Sequence, residues 1–204
     1  MSPVGFDLDM TLIDSRPAIM ASFAELARET ATPIDLTAVD GRLGIKLEEE
    51  VTYWFPPGQQ DAAVDCYRRH YVRLAPRLTT LLPGAREALA AVRAAGERAI
   101  IITAKHPVSV EPSLRAVGLA ADEIFTHVHG PEKAAVLRKL NAAAYVGDSP
   151  PDMAAAVAAG ARAVGVVTGS FGAGELERAG ADVVLGSLTD FPAWYRAAHQ
   201  SHPA

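Results

Sequence analysis

Nine residues near the start, Val4-Gly5-Phe6-Asp7-Leu8-Asp9-Met10-Thr11-Leu12, constrain the fold most. A short apolar run ends in two carboxylates one residue apart, followed by a hydroxyl. The run reads as a buried strand opening into a loop. Side chains alternate along extended chain, so Asp7 and Asp9 project to the same side while Leu8 turns the other way. Two close carboxylates in apolar surroundings repel each other and resist ionising together. A hard divalent cation with oxygen ligands would remove that conflict. Alone, the pair favours two solvated loop acids, so the rest of the chain has to decide.

The later chain supplies a rhythm of helix and strand. Helices are expected over 85–95, 109–117, 131–140, 150–159 and 175–179, with strands over 98–103, 123–126, 142–146, 163–167 and 182–185. Gly96, Gly118 and Gly160 sit where helix caps are expected. The apolar run 98–103 suits a parallel strand buried on both faces. Such alternation specifies an α/β fold, a doubly wound and mainly parallel sheet with helices on both faces.

One stretch breaks the rhythm. After a helix over 18–30, started by Ser15 and Pro17, residues 31–82 show two helical patterns, 36–55 and 59–75, and no strand pattern. Pro56-Pro57-Gly58 separates them. The expectation is a core of residues 1–15 and 82–204 carrying an inserted α-helical domain of residues 16–81. At about 65 residues the insert is marginal for independent stability. Its two crossings, near Ser15-Arg16 and Thr80–Gly84, suit a domain that rocks over a site.

Bulk properties narrow the partners. The 204 residues are 50% hydrophobic and 21% charged, which permits a sizeable core. Net charge is −5 without a Lys/Arg cluster, so neither nucleic acid nor an anionic membrane is the expected partner. The single cysteine, Cys66, cannot support an internal disulfide framework or a multi-thiolate metal site. No apolar run is long enough to span a bilayer, and a cytoplasmic setting is the default expectation. A monomer or a homodimer is equally compatible. The tail, 199–204, is expected to be loose.

Polar residues stand where the expected strands end. Thr103 closes one strand, Asp148 follows another, and Asp152 lies one helical turn on. Lys133 opens a helix after Gly130-Pro131. Open α/β sheets bind ligands beyond the carboxyl ends of their strands. Asp7, Asp9, Thr103, Asp148 and Lys133 are therefore expected to converge as a site for phosphoryl transfer.

These residues resemble the haloacid dehalogenase-like (HAD) superfamily, whose phosphatase signature is Asp-x-Asp-x-Thr. The stretch from Phe6 to Ser15 is similar to the first motif, Ile102-Thr103 to the second, Lys133 to the third, and Gly147-Asp148-Ser149-Pro150-Pro151-Asp152 to the fourth. The order matches over the whole chain, the insert matches an α-helical cap, and the later stretches resemble the phosphoglycolate phosphatase-like branch.

The resemblance implies roles. Asp7 is the nucleophile and Asp9 the general acid/base. Mg²⁺ is the cofactor, held by Asp7, the Asp9 carbonyl, Asp148 and Asp152. Thr103, Ala104 and Lys133 meet the phosphate. The implied substrate is a small phosphorylated metabolite, phosphoglycolate first. A phosphomutase of the same fold and a non-catalytic phosphate- or partner-binding module are the alternatives.

Two departures from the branch stand out. Met10 replaces its usual glycine, restricting φ. Thr103-Ala104-Lys105 replaces Thr-Asn-Lys, leaving Lys105 to face either substrate or solvent. In the cap loop 41–46, Arg42 and Lys46 are candidate attractors of an acidic substrate group or plain solvated charges. His127 and His129, on one face of a strand, form only a weak ligand motif.

Overall fold

The computed structural model describes residues 2–200, with side chains through Ala198. Its centre is a six-stranded parallel sheet in the order β5-β4-β1-β6-β7-β8. The strands are β1 (Val4–Phe6), β4 (Ala99–Ile102), β5 (Glu123–Phe125), β6 (Ala144–Gly147), β7 (Arg162–Val166) and β8 (Val183–Leu185). Helices α5 (Ala85–Ala94), α6 (Pro107–Val117), α7 (Pro131–Leu140), α8 (Pro150–Ala159), α9 (Ala173–Arg178) and α10 (Phe191–Gln200) alternate with them. The doubly wound α/β expectation holds.

Two apolar layers flank the sheet. Val4, Phe6 and Leu8 pack with Leu89, Val110, Leu114 and Phe191 on one side. Ile100, Ile102 and Tyr145 pack with Leu137, Met153 and Leu176 on the other. The first strand is central. The chain runs outward from it to β4 and β5, then crosses back to β6, β7 and β8. That reversal opens a crevice beyond the carboxyl ends of β1, β4 and β6.

Between β1 and α5 lies the helical insertion. A two-residue antiparallel ladder, β2 (Ile13–Asp14) with β3 (Thr80–Leu81), frames it. Helices α1 (Arg16–Thr30) and α4 (Gln60–Leu78) pack along each other around Phe23, Leu26, Tyr67 and Tyr71. The expected single helix over 36–55 is instead α2 (Leu36–Asp40), α3 (Leu47–Glu50) and a 3-10 turn at Val51–Tyr53. Asp35 caps α2, and Gly44 at φ +107 lies in the left-handed region that ends helical progression. The ladder strand Thr80–Leu81 was too short to leave a sequence pattern. Of the tail, the backbone of 199 and 200 completes α10, and 201–204 lie outside the described residues.

Contacts between the insertion and the sheet domain include three polar pairs and the Lys105 ammonium over the Tyr71 ring. Tyr71 Oη lies 2.8 Å from Ser113 Oγ, Lys46 pairs with Glu132 at 2.9 Å, and Arg16 donates to Ser170 Oγ at 2.8 Å. The chain re-enters at Gly84, φ +85, where a Cβ would overlap the backbone of Leu188 and Thr189. No side chain can give way there. Gly84→Ala is therefore expected to destabilise the protein by about 2–4 kcal/mol, lowering Tm by about 5–15 °C. Gly58→Ala, also at positive φ but with nothing within 4 Å, should cost about 1 kcal/mol. Equal losses in a thermal melt would refute the packing argument.

Candidate active site

The ends of β1, β4 and β6 deliver polar side chains to the crevice. After β1 the backbone stays extended, so Leu8 enters the core while Asp7 and Asp9 both line the cavity. The chain then turns at Met10, which sits at φ 59. A left-handed residue without glycine is strained by about 1–3 kcal/mol. Two hydrogen bonds hold it: the Met10 N–H donates to the Ile13 carbonyl at 2.8 Å, and its carbonyl accepts from Thr168 Oγ1 at 2.5 Å. The methionine thus adopts the backbone that glycine would supply.

The four sequence motifs come together. Lys133 Nζ, on α7, lies 2.7 Å from both Asp7 Oδ1 and Asp152 Oδ1. Thr11 Oγ1 donates to Asp148 Oδ1 at 3.0 Å, and Ser149 Oγ to Asp152 Oδ2 at 2.6 Å. Thr103 is buried after β4 and lines the same cavity with Ala104. Asp148 abuts Gly169, where any Cβ would collide with its carboxylate. The loop after β7 is therefore glycine because it must approach an acid closely.

Asp9 carries two partners on one oxygen, Ser15 Oγ and the Lys105 ammonium, the latter at 2.8 Å. Lys105 is buried, and its Nζ lies 4.5 Å from the Tyr71 ring centroid. The solvent-facing reading gives way to an ion pair at the cavity wall, where Lys105 is one of the lining residues. Burial works against its charge, but Asp9 outweighs that and holds the ammonium above its ordinary value. The partnership was invisible in sequence because it joins residues 96 positions apart.

Of the cap candidates, Arg42 lines the cavity but makes a two-pronged pair with buried Glu50, at 2.8 and 2.6 Å. Lys46 reaches across to Glu132 on α7. His127 and His129 lie beyond β5, in a loop where His127 takes φ 59, so they do not share a strand face. His129 lines the cavity.

Electrostatics single out Asp7, Asp148 and Asp152. Carboxylate oxygens from all three lie within 4.8 Å of one another, and all three residues are buried. Burial pushes Asp7 up to about 7, against the pull of Lys133. Burial and the neighbouring Asp152 and Asp7 charges push Asp148 well above the usual carboxylate range. Lys133 is pulled down by burial, yet Asp152 and Asp7 hold it well above its ordinary value. One ammonium does not balance three carboxylates. Hard oxygen donors gathered with surplus negative charge are what a small divalent cation requires, so these residues fit one.

A carboxylate cluster at the switch point of a parallel sheet, beneath a helical insertion, makes this a doubly wound α/β protein with a cation-type site. The chain belongs to the haloacid dehalogenase-like hydrolase family, whose model matches residues 4–166. It is 32% identical over 207 residues to a plasmid phosphoglycolate phosphatase of Cupriavidus necator, covering 92% of this chain and 90% of that one. A phosphoglycolate phosphatase of Cereibacter sphaeroides is 33% identical over 183 residues, covering 79% and 83%. The crystal structure of a hydrolase from Pseudomonas syringae superposes with a TM-score of 0.81 at 25% identity, covering 96% and 98%. The expected phosphoglycolate phosphatase-like membership of the superfamily is met.

Protons and a cation compete for these carboxylates. Asp7 rises from 3.8 to about 7 on folding, so between those values the folded protein binds more protons than the unfolded chain. Its contribution to stability is full below 3.8 and is lost as pH rises through 7. Metal-free protein is therefore expected to lose several degrees of Tm between pH about 5 and about 8. Asp7→Asn should flatten that slope, and Mg²⁺ should raise the wild-type Tm more at the higher pH. A slope unchanged by Asp7→Asn would remove Asp7 as its source.

Proposed function

We propose that this protein is a Mg²⁺-dependent phosphatase of small phosphomonoesters, working through an aspartyl-phosphate on Asp7. The observation that carries the reading is the joint approach of Lys133 to Asp7 and Asp152, with Asp148 beside them and Thr103 in the same buried cavity. In this reading 1–15 and 82–204 form the core, and 16–81 the cap that closes the cavity.

Asp7, Asp148 and Asp152 would hold Mg²⁺ together with the Asp9 carbonyl, and the cation would supply charge neutralisation at the phosphate. The chain's own groups do the rest. An Asp7 oxygen forms a bond to phosphorus as the ester P–O bond breaks. Asp9 gives its proton to the departing oxygen, then takes one from the water that cleaves the acyl phosphate. Ser15 and Lys105 both hold Asp9 by Oδ1, which leaves Oδ2 for those transfers. Lys133 orients Asp7 and, with Thr103, compensates charge on the phosphoryl oxygens. Phosphoglycolate, the substrate in the relatives' names, is the reference ester. A cytoplasmic enzyme acting on a free metabolite is the setting that the relatives' named activity suggests.

Phosphate release from a panel of monoesters, with Mg²⁺ and with chelator, tests this. Asp7→Asn keeps the shape but cannot act as an anionic nucleophile, and is expected to lose about a thousandfold or more in kcat. Release that survives Asp7→Asn or chelation would exclude the mechanism. Tight ester binding without turnover would point to the binding module, and phosphate passed to a second sugar hydroxyl to the mutase.

A further inference from the structure

Beyond the phosphate end, the cavity has a second half whose chemistry bears on the leaving group. The whole cavity, phosphate end included, has a volume of about 120 Å³. Helices α1 and α4 present Ile19, Phe23, Tyr67 and Tyr71 to it, with the Phe23 and Tyr67 rings 4.6 Å apart. Leu43 and Ile45 continue the wall from the loop before α3.

The charges facing this space are already spent. Among the described lining residues there are four fixed cations, and each has a carboxylate partner. Arg42 is held by Glu50 and covers the Tyr53 ring at 4.3 Å. Arg68 is paired with Glu48, Lys105 with Asp9, and Lys133 with Asp7 and Asp152. The two lining histidines, His106 and His129, are pushed down chiefly by burial and so are neutral near pH 7. Against the four cations stand six carboxylates, which include Glu48 and Glu50. With Asp9 protonated as the acid of the first step, five charged carboxylates remain, so one divalent cation leaves the set with a single positive charge that a phosphate dianion more than consumes. A further anion in the apolar half would be buried without a partner, which is strongly unfavourable.

We propose that the leaving group this site selects is small, uncharged and partly apolar, so that neutral alkyl phosphomonoesters are better substrates than phosphoglycolate. This rests on the phosphatase reading above and refines it. It also gives Arg42 a different part from that of an attractor of acidic substrate: with Glu50 it closes the wall.

The test compares phosphoglycolate with its primary amide, an isostere lacking only the charge, and with propyl phosphate. The expected result is a kcat/KM for both neutral esters at least about tenfold above that for phosphoglycolate. Glu48→Gln and Glu50→Gln each free an arginine from its carboxylate, and either should shift the ratio severalfold toward phosphoglycolate. Glu48 is on the surface, so its variant keeps the test usable if the buried Glu50 variant does not fold. Phosphoglycolate turned over as well as or better than the neutral pair would overturn this inference and leave the phosphatase standing. A neutral preference unmoved in every folded variant would overturn charge pairing as its cause. No release from any ester would overturn both readings.

Discussion

Carboxylate repulsion at the carboxyl edge of the sheet is the constraint on which the rest depends. Asp7, Asp148 and Asp152 come from β1 and from the turn and helix after β6, and burial brings their oxygens within 4.8 Å of one another. Left alone, such a cluster would protonate or splay apart. Lys133 answers part of it, because α7 enters the crevice with its ammonium 2.7 Å from two of the three acids. Burial first, and the neighbouring carboxylates after it, hold Asp7 and Asp148 above the usual carboxylate range despite that lysine. Both causes favour a cation that would offset the buried charge. A site relaxed without metal would have little reason to bind one.

The surrounding architecture serves that geometry. Parallel pairing of β1 with β4 and β6 brings Asp7, Thr103 and Asp148 to one edge although they span 142 positions of sequence. Tyr145, on β6, spans the same layer and donates to the Ile102 carbonyl at 2.9 Å. The insertion packs α4 closely along α6 of the sheet domain, and Tyr71 bonds to Ser113 and Lys46 to Glu132 across the join. Its apolar cluster belongs to its own helices.

How far the sequence was legible follows from the range of each interaction. Strand-end acids could be read because buried strands are continuous apolar runs and the polar residue that stops each one is adjacent in sequence. The helical insertion could be read because its pattern lacks period two. The break inside 36–55 could not, since Leu43, Leu47 and Val51 keep helical spacing through a turn that Gly44 imposes by backbone angle alone. Met10 stood out as a departure, but its left-handed backbone depends on Thr168, 158 positions away. Lys105 illustrates the limit most clearly: a lysine two residues past a strand is as well suited to solvent as to substrate, and only the fold supplies Asp9 and Tyr71 as its neighbours.

Chemistry and selectivity are carried by separate parts of this chain, and they answer to different evidence. The proposed reacting groups stand just beyond the strand ends and on α7 and α8, where strand order leaves little freedom, so family membership is informative about them. The far wall of the cavity is built by α1, α4 and the loop around Gly44. There a single substitution can create or remove a free charge without disturbing the acids. Glu48 and Glu50 illustrate this: as glutamates they silence Arg68 and Arg42, and as neutral residues they would leave two cations facing the substrate. Identity of 32% to phosphoglycolate phosphatases therefore argues more strongly for the reaction than for glycolate as its leaving group.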